Sequence, residues 1–237
     1  VVSCDTVQCT DLRRTLTAVA SSCARPLNGV WHAAGVLADG LLYSQTSQSL
    51  VRVYAPKAYG GWSIHQACAR SPLASCVMFS SIAAMLGGAG QANYAAANQC
   101  LDALSTHRLA SGSAATSVQW GPWADVGMAA GGAINSRLQA TGIGLITMAD
   151  GAAAFRSALS VASPAVFSLF IVRWSRFLGN LKEVPAQLSA FASLRSAPAT
   201  KSRGAVSARA VALEDILETL KQTTGNDVDA DAPLMEA

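Results

Sequence analysis

Charge is scarce in this chain. Asp, Glu, Lys and Arg make up 13% of its 237 residues, and the net charge is +3. The basic residues are scattered: Arg13-Arg14 and the Lys201, Arg203 and Arg209 group are isolated, which argues against a nucleic-acid-binding stripe. Long apolar runs are missing too. The longest, residues 165–172, has the length of a buried strand and falls short of the ~20 residues that span a bilayer. The six cysteines (Cys4, Cys9, Cys23, Cys68, Cys76 and Cys100) contain no C-x-x-C pair and read as reduced thiols. His32, His65 and His107 lack ligand spacing, so no metal site is expected. There is no initiating methionine, no signal peptide and no glycine-rich phosphate fingerprint after a first strand. The chain is therefore expected to be a piece of a longer, cytoplasmic protein.

What is present is apolar side chain in quantity. Hydrophobic residues reach 51%, enough for a large core and far from a disordered composition. The pattern centres on residues 79–98. An apolar run, Cys76-Val77-Met78-Phe79, reads as a buried strand end and delivers Ser81. Gly87, Gly88 and Gly90 follow in a loop where backbone can approach a ligand closely. A helical pattern then begins at Tyr94, and Asn98 lies one turn further along the same face. A serine at a strand end and a phenol on the next helix converge above a parallel sheet, where open α/β folds bind ligands. A free phenol titrates near ~10, so a nearby ammonium is needed to favour the phenolate, and Lys57 is the candidate.

Ser81 stands thirteen positions before Tyr94, a spacing that resembles the short-chain dehydrogenase/reductase superfamily. Within it, Tyr94-Ala95-Ala96-Ala97-Asn98 is similar to the ketoreductase domains of type I polyketide synthases and animal-type fatty acid synthases. Those domains carry asparagine four residues after the tyrosine and take the lysine from the preceding helix. Pro56-Lys57-Ala58-Tyr59-Gly60 matches that exchange. The resemblance runs from about Asp5 to Trp174. It implies a Rossmann-like α/β fold, a doubly wound parallel sheet with its N-terminal strands missing.

Residues 1–5 read as a strand, and the resemblance sets Asp5 at the adenine end of the cofactor. Apolar spacing predicts a helix from Asp11 to Cys23, then a strand ending in His32-Ala33-Ala34-Gly35, a small-residue loop against which a cofactor ribose could lie. Residues 45–69 read as a helix interrupted near Pro56, with Lys57 starting a fresh helical run. Strands are predicted over 73–79 and 115–120, with a helix over 93–109 between them. Trp120-Gly121-Pro122-Trp123 resembles the turn that cradles the nicotinamide. Residues 124–150 resemble a lid over the substrate channel, and a helix (150–159) and strand (165–172) close the domain.

The resemblance also bears on stereochemistry. B-type domains carry Leu-Asp-Asp where this chain has Leu37-Ala38-Asp39, so Asp39 matches and Ala38 departs. A-type domains carry tryptophan eight residues before the tyrosine, where this chain has Leu86. With Gln91, these residues lean to B-type control and a D-configured 3-hydroxyl. The alternative role for Asp39 is to cap the next helix.

The expected domains are a ketoreductase catalytic part (1–178), an Ala/Ser/Pro-rich linker (179–207) and the start of a small helical acyl carrier domain (208–237). The carrier's phosphopantetheine serine would lie beyond this chain. The implied reaction is NADPH-dependent reduction of the 3-keto group of a carrier-bound acyl thioester. Tyr94 would be the general acid, Ser81 the carbonyl's hydrogen-bond partner and Lys57 the group that lowers the phenol's pKa and contacts the ribose. Asn98 would hold a water or position Lys57. The implied cofactor contacts are Asp5, His32, Ala33, Ala34, Gly35, Lys57, Tyr94, Gly121 and Pro122. The implied partners are the carrier domain and the other synthase domains in the same polypeptide. A fatty acid synthase ketoreductase shares every motif, and a non-catalytic scaffold that docks a carrier domain is the reading from a different class.

Overall fold

The structure, a computed structural model, describes residues 2–23, 25–69, 71–124, 138–160 and 162–195. Its elements run α1 (Cys9–Ser22), β1 (Gly29–His32), α2 (Ser47–Tyr54), α3 (Gly60–Ala67), β2 (Ser75–Ser81), α4 (Ala83–Leu86), α5 (Ala92–Ala110) and β3 (Thr116–Trp120). Then come β4 (Ile143–Gly144), α6 (Met148–Ala158), β5 (Val166–Leu169), β6 (Ile171–Val172) and α7 (Trp174–Gly179). They divide into two compact units, one within residues 1–130 and 143–171, the other within 131–142 and 172–237.

The first unit is a four-stranded parallel sheet in the order β1-β2-β3-β5. Val30 lies opposite Cys76, Ser81 opposite Trp120 and Val118 opposite Phe167. Because side chains alternate across a strand, β2 feeds two cores. Cys76 and Met78 join Leu12, Ile64, Leu101 and Leu104 from α1, α3 and α5. Val77 joins Val118, Trp120, Ile146 and Ala154 on the other face. Helices cover both faces, which is why the central strands read as near-continuous apolar runs.

Several boundaries depart from the expectations. No strand forms over residues 2–5: Val2 is exposed, and among the described residues β1 has its sole ladder partner in β2. A strand needs a ladder to satisfy its backbone, and among the described residues nothing supplies one there. Helix α1 starts at Cys9, ahead of the expected start at Asp11, so Asp11 sits in its first turn, 3.2 Å from Arg14. Thr46 caps α2 through a reciprocal bond pair with Ser49, which removes the capping role offered for Asp39. Residues Ala55–Tyr59 form a π turn joining α2 to α3, so Lys57 sits inside a wide turn and does not begin a new helix. Pro56 has no N–H, so the ladder is already short of a donor where it widens.

In the second unit, Trp174 stacks on Phe191 at 4.0 Å with 7° between the ring planes. Residues Ala186–Leu194 form 3-10 turns inside the stretch expected to be linker, because Leu188 and Phe191 give it apolar anchors. The centre of the expected lid, residues 125–137, and the expected carrier segment, residues 208–237, lie outside the described residues. Among the described residues no helix is long and apolar enough to cross a membrane.

Candidate active site

Strand β2 ends at Ser81, and α4 starts two residues later, so the Ser81 hydroxyl accepts the Ala83 N–H at 3.2 Å. That contact fixes the side chain at the carboxyl edge of the sheet. Tyr94 lies in the first turn of α5 and is 8% exposed, packed with Val53, Ala83 and Ala97. Asn98, one turn on, is fully buried. Its Nδ2 donates to the Tyr94 backbone carbonyl at 2.8 Å, and the Ser80 hydroxyl donates to the Asn98 backbone carbonyl at 3.4 Å. Its Oδ1 is buried with no hydrogen-bond partner among the described residues.

Lys57 is 3% exposed. The π turn aims it at β2, where Nζ donates to the Phe79 carbonyl at 3.0 Å. The same Nζ faces the Tyr94 ring 5.5 Å from its centre, within cation–π range. His32, buried at the end of β1, has its Nε2 3.3 Å from the Lys57 carbonyl and so ties the turn to the strand. Burial holds the His32 imidazole below its ordinary pKa, so it stays neutral beside the ammonium.

The two key pKa values move in opposite directions for one reason. Burial disfavours whichever form is charged. Lys57 is lowered to about 8 by burial, against the attraction of the Asp102 carboxylate further along α5. Tyr94 is raised by burial; the Ser81 and Asn98 side chains beside it pull it down, and the charge of Asp39 pushes it further up. The expected lowering of the phenol by Lys57 is thus corrected. Burial costs the phenolate more than its neighbours return, and the ammonium is engaged with a carbonyl.

Ser81, Tyr94, Lys57 and Asn98 therefore come together. The small-residue loop lies beside them: Ala33 and Ala34 are exposed past the end of β1, and a Cβ on Gly35 would stand 2.8 Å from Lys57 Cε. Ala33, Ala34 and His32 line a cleft of about 290 Å³ with Cys4, Thr6 and Leu12. Asp5 is exposed next to it, its Oδ1 accepting the Val7 N–H at 3.0 Å. At Gly121 and Pro122, the Gly121 N–H donates to the Leu169 carbonyl and the Pro122 carbonyl accepts from the Ile146 N–H, which fixes the turn after β3. Of the stereocontrol set, Leu37 packs on the Tyr94 cluster, and Asp39 accepts from Gln91 Nε2 at 3.0 Å. Leu86 is half-buried at the end of α4. A larger groove, about 580 Å³ along α6 and β5, contains none of these side chains.

Sequence reasoning passed over Asn93, Gln45 and Asp102. Asp102 accepts from Ser117 Oγ at 2.6 Å and Gln119 Nε2 at 2.7 Å, a buried cluster on β3 beneath the site. The signal available was position: Asp102 follows Tyr94 and Asn98 at successive four-residue steps.

The family model of the KR domain matches residues 1–125. The chain is 39% identical over 206 residues to polyketide synthase GfsB of Streptomyces halstedii, which covers 85% of this chain and 4% of that protein. It is 43% identical over 162 residues to the spectinabilin polyketide synthase system protein NorB of Streptomyces orinoci, covering 67% of this chain and 7% of that protein. Among solved structures, an A1-type ketoreductase superposes with a TM-score of 0.71 at 29% identity, covering 83% of this chain and 39% of that one. The chain belongs to the KR domain family, as a ketoreductase domain of the type I polyketide synthase kind.

Proposed function

We propose that this chain forms the catalytic side of an NADPH-dependent ketoreductase that reduces the 3-keto group of a carrier-bound 3-ketoacyl thioester to a 3-hydroxyl, within a cytoplasmic polyketide synthase. The observation that carries the reading is the meeting of a buried phenol, a strand-end hydroxyl and a buried ammonium, with Lys57 Nζ 5.5 Å from the Tyr94 ring centre.

The residues fit a nicotinamide cofactor. A loop without bulky side chains lies beside Lys57, and a Cβ at Gly35 would crowd the ammonium that is to meet the ribose. Ala33, Ala34 and His32 would flank that ribose, with Asp5 towards the adenine. When bound, the cofactor supplies the hydride that adds to carbon 3 of the substrate. The chain's part is the proton. Its raised pKa keeps Tyr94 protonated at neutral pH, as a proton donor in the reducing direction requires. Tyr94 Oη gives that proton to the ketone oxygen as the carbonyl π bond breaks. Ser81 Oγ donates a hydrogen bond to the same oxygen, where negative charge develops. Lys57, while charged, supplies positive field beside the ring that loses the proton. Asn98 holds the helix turn under Tyr94 and offers its open Oδ1 to a proton-relaying water. Leu37, Asp39, Leu86 and Gln91 would set the face presented, with the B-type outcome. The carrier domain and the remaining synthase domains are the proposed partners.

The test is Tyr94→Phe in the complete polypeptide. Turnover is expected to fall about 10²- to 10⁴-fold, the usual worth of a general acid, while NADPH affinity is retained. Equal loss of both would remove the phenol from the chemistry.

A further inference from the structure

The tyrosine helix begins without an ordinary cap. Gln91, at the N-cap position, makes no side-chain capping bond. The exposed amides of a first turn still need acceptors, and here one comes from inside the helix. Asn93 is 2% exposed, and its Oδ1 accepts the Tyr94 backbone N–H at 2.7 Å. Its Nδ2 has two protons and spends both on other segments. One goes to the Ala38 carbonyl at 2.7 Å, the other to Gln45 Oε1 at 3.0 Å.

These bonds cross more than forty residues of sequence to the loop that follows β1. Gln45 completes the bridge by donating Nε2 to the Gly40 carbonyl at 2.9 Å. Two further contacts run alongside: the Gly40 N–H donates to the Gly90 carbonyl at 2.8 Å, and Gln91 Nε2 to Asp39 at 3.0 Å. Gly90 has φ +70, and a Cβ there would lie 3.4 Å from the Gly40 nitrogen, so the two loops meet backbone to backbone. The wall held in this way is not remote from the chemistry. Leu37 and Ala38 pack against the cluster that contains Tyr94.

We propose that Asn93 is a positioning residue for specificity: by tying the 38–45 loop to the first turn of α5, it fixes the wall beside the Tyr94 phenol and hence which face of the ketone is offered for reduction. The inference rests on the reading of Tyr94 as proton donor. Nothing in it requires Asn93 to touch substrate. Its two amide protons and its carbonyl oxygen are already committed within the protein. A side chain of another kind would take one donor from each of two partly buried acceptors and leave one helix amide without its side-chain partner.

The experiment compares Asn93→Ala and Gln45→Ala with the unaltered protein in the complete polypeptide. The probe is a racemic 2-methyl-3-ketopentanoyl N-acetylcysteamine thioester, with chiral chromatographic separation of the four stereoisomeric alcohols. Asn93→Ala is expected to change the ratio of the two carbon-3 configurations about fivefold and to raise KM by more than it lowers kcat. Gln45→Ala, which removes one arm at a half-buried position, is expected to shift the ratio the same way by less. A merely structural role would reduce the amount of active protein and lower kcat, leaving both ratio and KM untouched. If folded Asn93→Ala gives the native ratio and KM, the proposal is overturned; should that variant not fold, the same result from Gln45→Ala overturns it. Tyr94→Phe run in parallel separates the two failures, since an active Tyr94→Phe would sink the proton-donor reading itself.

Discussion

Lys57 and Tyr94 are buried side by side, and burial pushes their pKa values towards each other. The ammonium releases its proton more readily and the phenol less readily than in water. With Lys57 at about 8 instead of 10.5, a rate that depends on its charge should fall as pH rises through that value. A plot of kcat/KM against pH is expected to show an alkaline limb near 8, absent in Lys57→Met. Stability carries the opposite sign. Between about 8 and 10.5 the unfolded chain holds the proton that the folded one has released, so folding becomes more favourable as pH rises across that window. Relative to Lys57→Met, the unaltered protein should gain up to about 3 kcal/mol there, measured by denaturant unfolding at each pH. The residues themselves were legible, because a hydroxyl, a phenol and an amide at fixed spacing follow strand and helix periods. Their pKa directions were not, since burial is a property of packing: the sequence marks Lys57 as the candidate ammonium without showing how deeply it is buried. Asn93 and Gln45 were equally hidden, as their partners are backbone carbonyls that no motif spells out.

At the scale of elements, apolar periodicity predicts β2, α5, β3 and α6, with ends that shift by a few residues. What it misjudges is where a change in winding replaces a break. Pro56 suggests a helix restart, whereas the chain stays wound through a π turn that sets Lys57 towards β2. Helix α6 offers a sharper test of packing. It is capped by Thr147 and Asp150 in a reciprocal pair. One turn in, a Cβ on Gly151 would run into the Trp123 ring. Gly151→Ala would ordinarily favour a helix by up to ~1 kcal/mol. Here it is expected to destabilise by about 1–3 kcal/mol, because the tryptophan must shift within a packed cluster; a lowered thermal midpoint checks it. Thr147→Ala should cost about 1 kcal/mol through loss of the cap alone.

Across the whole molecule, the sheet sets a gradient of protection. Strands β2 and β3 have ladder neighbours on both sides, while β1 and β5 each have one. Amide hydrogen exchange is expected to be slowest at Val77, Met78 and Val118 and faster along Gly29–His32; uniform protection would contradict that order. The parallel, doubly wound architecture was legible because apolar strands alternate with helices long enough for crossovers. The strand expected over residues 1–5 was not realised, since pattern shows a segment's preference and not whether a neighbour is there to pair with it. Topology also explains where the site falls: Ser81, the loop after His32 and the start of α5 all lie beyond carboxyl ends of adjacent strands. The most direct test of the account follows a labelled atom. The complete polypeptide is given NADPH deuterated at the transferable C4 position and a 3-ketoacyl thioester, and the product is examined by mass spectrometry and NMR. The account predicts one deuterium at carbon 3 of the hydroxyacyl product, with that product reduced at least ~100-fold in Tyr94→Phe. Cofactor consumption with no deuterium at carbon 3, or an undiminished product in Tyr94→Phe, would contradict it.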